Sequence, residues 1–113
     1  MIKVSWDVEE IVALIDIYRR VNDGIVTDIN AELMLLSKKL HKRASILKID
    51  HDEKYRNLNG MNMMYQNVVF VASGGNKGMS NVSSSIHIVF EIYQKNIDAF
   101  NLILKEFNAH YGL

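Results

Sequence analysis

The sequence predicts an all-α fold, a compact bundle of about five helices in which the second and third form a helix-turn-helix-like pair. Three observations predict it. Pro is absent from the 113 residues, where average usage of about 5% would give several, and Pro breaks helix interiors. Hydrophobic residues make up 49% of the chain, enough for one core in a single domain over residues 1–113. Those residues recur at spacings of three and four in five successive segments.

The first helix is predicted from about Asp7 to Val21. Ser5 or Asp7 caps it, and Asp7 with Glu10 has capping-box spacing. Val8, Ile11, Val12, Ile15, Tyr18 and Val21 form its buried stripe, and Asp16 with Arg20 pairs on the wet side. Asn22-Asp23-Gly24 ends it, with Gly24 free to take positive φ. Thr27 or Asp28 starts the second helix, whose stripe is Ile29, Leu33, Leu36, Leu40 and Leu47. The run "KKLHKR" lies toward its C-terminal end, where cations complement the helix dipole.

The segment after Asn59-Gly60 admits two readings. Met61, Met64, Tyr65, Val68 and Ala72 share one helical face. "VVFVA", residues 68–72, is instead a run of strand formers. The helix is the expectation, and an α+β fold with a short strand near 68–72 is the alternative. "SGGNKGMSNVSSS" reads as a loop. A fourth helix follows to Gln94, burying Ile86, Val89, Phe90 and Tyr93. After Asn96, the fifth carries Ile97, Phe100, Leu104, Phe107 and Tyr111, a seam suited to packing on another helix.

The formal charge is zero but unevenly spread. Residues 1–37 hold three Lys/Arg and seven Asp/Glu, a net of −4. Residues 38–56 hold seven and three, a net of +4. A neutral total argues against tight unspecific phosphate binding, while a basic middle leaves room for a local anion-binding face. No apolar run approaches the ~20 residues that span a bilayer. Cys is absent, which removes disulfides and thiolate chemistry and fits a reducing, cytoplasmic setting.

The stretch "KYRNLNGMNMMYQN", residues 54–67, sets amides beside Met and Tyr. On a helix, Asn59, Asn62 and Gln66 fall in a row. Asn and Gln can bond bidentately to adenine in the major groove, and Lys54 and Arg56 precede the helix N-terminus, where N–H groups attract phosphate. In the competing reading, Asn57 and Asn59 are helix caps and Asn62 and Gln66 plain solvated positions. "GGNKGMS" follows the apolar run but lacks the Gly-Lys-Ser/Thr ending of a phosphate loop, which leaves Lys77 as a lone cation. "DHDE", residues 50–53, cannot converge on one metal, and His41, His87 and His110 have no ligand spacing. The expectation is therefore no enzyme, no metal and no cofactor. Trp6 is read as sealing the start of the first helix, and the six Met as mainly core filler.

Three pieces carry a family resemblance: Trp6-Asp7-Val8-Glu9-Glu10 opening a helix with Tyr18, then "KYRNLNGMNMMYQNVVFV", then "KGMSNVSSSIHIVFEIY". They resemble the small helical module at the N-terminus of some bacterial HNH-type restriction endonucleases and related restriction helicases. That module opens on Trp-x-x-Glu-Glu, has an Arg-Asn-x-Asn-Gly-like lead-in to a middle helix, and carries a Lys-Gly-Leu-Ser-like loop. The likeness covers most of residues 5–95, with Met79 where Leu is usual. It implies a DNA-directed role, with Arg56, Asn57, Asn59, Gly60, Asn62, Gln66, Lys77 and Ser80 as the matching polar sites. No catalytic segment follows within the 113 residues, so a free-standing, non-catalytic module is expected.

The combined expectation is double-stranded DNA binding in a restriction or phage-conflict context. Lys38, Lys39, Lys42 and Arg43 would meet phosphates, Asn59, Asn62 and Gln66 would face bases, and Lys77 with Ser80 would hold a neighbouring phosphate. The rival expectation is a protein-interaction module, an accessory or inhibitor of a defence enzyme. Homodimerisation through the final helix seam is compatible with either.

Overall fold

The computed structural model describes residues 3–113, which form five helices and, among those residues, no strand. They are α1 (Val8–Asn22), α2 (Ile29–Leu47), α3 (Leu58–Ala72), α4 (Ser84–Lys95) and α5 (Ile97–Tyr111). Residues 68–72 belong to α3, so the strand reading is set aside: the helical face of Met61, Tyr65 and Val68 is the one the core buries.

Local chemistry starts four of the five helices; at α4 the Ser83 side chain makes no cap bond. Asp7 accepts from the Glu10 amide while Glu10 reaches back to the Asp7 amide, both at 3.1 Å, a complete capping box. Asp28 caps α2 through the Ala31 amide, and Asn57 caps α3 through that of Gly60. Asn96 ends α4 and begins α5, its side chain accepting from Ala99. Gly24, at φ +76°, turns the chain out of α1 as expected.

The topology is a ring around an axis. α1 touches all four other helices, and these touch one another in the cycle α2–α3–α4–α5–α2. A helix so enclosed must be apolar nearly all round, and Ile11, Val12, Ala13, Leu14, Ile15 and Ile17 are all buried. This corrects the single stripe predicted for α1. Val8, at its open end, is 46% exposed, while Leu14 and Ile17, off the stripe, are core. Leu47, also placed on the α2 stripe, is 48% exposed. The radius of gyration, 13.4 Å, matches the ~13 Å of a compact 100-residue domain.

Of the seam predicted for α5, Leu104 is half-buried and Ile97 is 41% exposed. Phe100, Phe107 and Tyr111 are buried, with α5 packed on α1, α2 and α4. The methionines also depart from expectation: Met61 is core, but Met34, Met63 and Met79 are exposed. None of the described helices is long and apolar enough to cross a membrane.

Candidate nucleic-acid interface

The eleven residues proposed from sequence separate into three groups. Arg43 and Arg56 form the first, and they face inward. Arg56 is buried with Glu10, which is 1% exposed. Its Nε donates to Glu10 Oε2 at 2.8 Å and its Nη2 to Oε1 at 3.0 Å. Nη1 also donates to the Val4 carbonyl and Nη2 to that of Ser5, and the guanidinium lies 4.5 Å from the ring centres of both Trp6 and Tyr55. Arg43 pairs with Asp7 and Glu9 and lies over Tyr111. Burial opposes its charge, but the bonds to Glu9 and Asp7 outweigh that and hold its pKa above the ordinary arginine value.

These arginines are ties, not contacts for an outside phosphate. They join the segment before α1, the α1 capping box, the end of α2 and the 48–57 loop. Opposite charge close by stabilises each guanidinium, and a buried carboxylate needs such a partner. Ser37 reinforces the join by donating to the Arg56 carbonyl at 2.6 Å. Arg56 takes a left-handed φ of 46° to do this. The expectation that both cations face DNA is thereby corrected: the acidic first turn of α1 takes them up. Trp6 seals this end of α1 as predicted, and it does so by covering Arg56.

The second group is Lys38, Lys39 and Lys42 on α2. Lys38 and Lys42 are exposed and Lys39 is half-buried. Lys42 donates to the Gly112 carbonyl at 2.9 Å, and Lys39 borders a shallow recess with Asp16, Glu32 and Asn108. The latter two lysines thus turn toward α5. His51, from the "DHDE" run, is turned to the Asp52 carbonyl and stacked on Tyr55.

The third group follows α3 and the loop after it. Asn57 is the cap already described. Asn59 and Asn62 are exposed, and Gln66 is half-buried. Asn62 and Gln66 border a groove whose far wall is Thr27, Asp28 and Asn30. α3 runs back along α2, since Arg56 meets Ser37 while Gln66 meets the residues at the α2 start. Ten residues from Asp28 to Lys38 are ~15 Å of helix, so the inner end of the amide row lies away from the lysines of α2. Its neighbouring cations are Lys54, which shares a cleft with Gly60 and Trp6, and Lys77 beyond Gln66.

Gly78 holds Lys77 in place. At φ +82° it lies flat on α3, where an added Cβ would come within 2.7 Å of the Phe70 amide nitrogen. The Met79 amide then donates to the Gln66 carbonyl at 3.2 Å. Ser73 closes the loop by accepting from the Lys77 amide at 2.9 Å. Lys77 and Ser80 are both exposed. The motif Lys77-Gly78-Met79-Ser80 is thus a loop clamped to the outer side of α3, next to Gln66.

Sequence reasoning passed over Tyr18, Tyr65 and Asn76, which border the space between Gln66 and Lys77. The two tyrosines were legible only as core residues of their stripes. Comparison with protein-family models, with curated proteins and with solved structures finds no match to this chain.

Proposed function

We propose that the chain is a small, non-catalytic DNA-binding module that works in a restriction or phage-conflict setting. The observation that carries the reading is the polar edge of α3: Asn59 and Asn62 open to solvent at its N-terminal end, Gln66 further along, and Lys77 on the clamped loop. Recognition helices meet base edges with their N-terminal residues, and Asn and Gln are suited to adenine. Lys54 and Lys77 border clefts at the two ends of the edge, and on this reading they meet phosphates on either side. The setting follows from the resemblance of the Trp6–Glu10, Lys54–Val71 and Lys77–Tyr93 segments to the restriction-enzyme module. Gel shifts across a salt series test the reading. Affinity should fall with salt, with a slope reduced by about 1 in Lys77→Ala. A response flat in salt refutes phosphate contacts.

A second reading has its own observation. Met63, beside Asn62, and Met79, on the clamped loop, are exposed, and Met is adaptable at protein interfaces. The same face would then dock on a protein of a defence system. A partner captured from host lysate that survives nuclease treatment, and is lost in Met63→Glu, favours this reading over DNA.

A further inference from the structure

Between α1, the start of α2, α3 and the 73–80 loop lies an open hollow of about 540 Å3. Ordinary small-ligand sites run from roughly 300 to 1,000 Å3. Tyr18, Tyr65 and Ile29 supply its apolar wall, Gln66 and Asn76 its amides, and Lys77 its single formal charge. No Asp or Glu borders it, although the chain has as many acids as bases.

The polar groups here are unspent. Tyr65, 3% exposed, borders the hollow, and its hydroxyl makes no hydrogen bond to any described residue. Gln66 is bonded through its backbone carbonyl and Lys77 through its backbone alone. Side-chain polar groups that border a cavity without a protein partner can take one from a ligand, since buried polar groups are otherwise satisfied. The occupant that matches has a flat body for the phenols, a hydrogen-bonding edge for the amides and the hydroxyl, and one anionic group for Lys77.

We propose that this hollow receives a nucleobase together with its 5′-phosphate, the base against Tyr18 and Tyr65 and the phosphate at Lys77. The inference deepens the DNA-binding reading and rests on it for the source of the base, an unstacked nucleotide of a strand. A free nucleotide offers the same chemistry. Base–aromatic contact tolerates any base, so Gln66 and Asn76 set the preference. Unstacking is easiest in single strands and at mismatches, so these bind better than a matched duplex.

The test uses the whole chain and three probes: a single strand carrying 2-aminopurine, a duplex carrying it at a mismatch, and a free nucleoside 5′-monophosphate. Fluorescence reports the strands, and NMR of the tyrosine rings reports all three. Fluorescence should rise on binding, with the Tyr18 and Tyr65 resonances shifted. Tyr65→Phe and Lys77→Ala, each checked for a wild-type melt, should weaken binding about fivefold, the effect of one lost hydrogen bond, and exposed Lys105→Ala should not. DNA bound with silent fluorescence and unmoved rings overturns the hollow and leaves DNA binding standing. A monophosphate that shifts the rings while no strand binds supports the hollow and removes DNA as the source. No response to any probe, or full affinity in both variants, overturns the proposal.

Discussion

Removing the Arg56 side chain should cost more stability than any surface change. Arg56 and Glu10 have side-chain exposures of 6% and 1%, so solvent screens the pair little. Arg56→Met keeps much of the volume but leaves the Glu10 carboxylate buried without its two guanidinium donors, with the Asp7 amide still donating to it and Arg43 3.9 Å away. Breaking a buried pair in this way costs about 3–5 kcal/mol, a large part of the ~5–15 kcal/mol that holds a domain together. At roughly 4 °C per kcal/mol for a chain of this size, the midpoint should fall by about 12–20 °C. Urea and thermal unfolding followed by circular dichroism measure this. The double variant Glu10→Gln/Arg56→Met neutralises the stranded charge, and its Gln can still accept from the Asp7 amide. It should recover at least half of the loss. A single-variant loss below about 1 kcal/mol, or a double variant no better than the single, refutes the buried-charge reasoning. Arg56→Met that melts like wild type but fails to bind DNA would return Arg56 to the phosphate contacts.

Three further outcomes are expected. Gly78→Ala should lose at least about 1–3 kcal/mol from the left-handed backbone alone, with faster amide exchange confined to residues 73–80; unchanged exchange there refutes the clamp. Burial, with the Tyr18 phenol adding to it, raises the Tyr65 pKa above its ordinary 10.0. The stabilising contribution of its neutral form is complete below that ordinary value and is lost as pH rises through the folded-state value, so Tyr65→Phe should flatten the alkaline limb of the urea midpoint. Parallel limbs in the two proteins would refute this, with Tyr55, also raised by burial, supplying the remaining slope in both. Asp7→Ala should lose about 0.5–2 kcal/mol in chemical unfolding through the broken cap, and Asp7→Asn should lose less, since Asn caps as well.

The helix starts were legible because caps are local. Asp7, Asp28 and Asn57 each meet an amide three residues on, and sequence spacing alone defines that contact. Asn57 caps α3 and Asn62 is exposed, as the competing reading of the amides has them, whereas Asn59, which it made a cap, is exposed and Gln66 is half-buried. The choice of helix over strand at residues 68–72 was also local, since the period of Met61, Tyr65 and Val68 runs on into Val69–Ala72. The candidate site was legible only as a row of amides and a loop motif. Its hollow brings together residues from α1, α2, α3 and the loop beyond, and no spacing rule joins positions so far apart.

Residue order by itself determined five helices, four of them begun by a side-chain cap, their approximate limits and an all-α class, because turn-by-turn hydrogen bonding and apolar period need no distant partner. Tertiary structure alone decided that α1 is the axis. The unbroken run Ile11–Ile15 is buried because four helices close around it, and a single amphipathic stripe could not express that. It also decided the fate of the charges. Arg43 and Arg56 look like part of a basic face when residues are counted along the chain. In the fold they sit against Asp7, Glu9 and Glu10, more than thirty residues away in sequence. A charge is spent on its nearest neighbour in space, and only the packed chain says which neighbour that is.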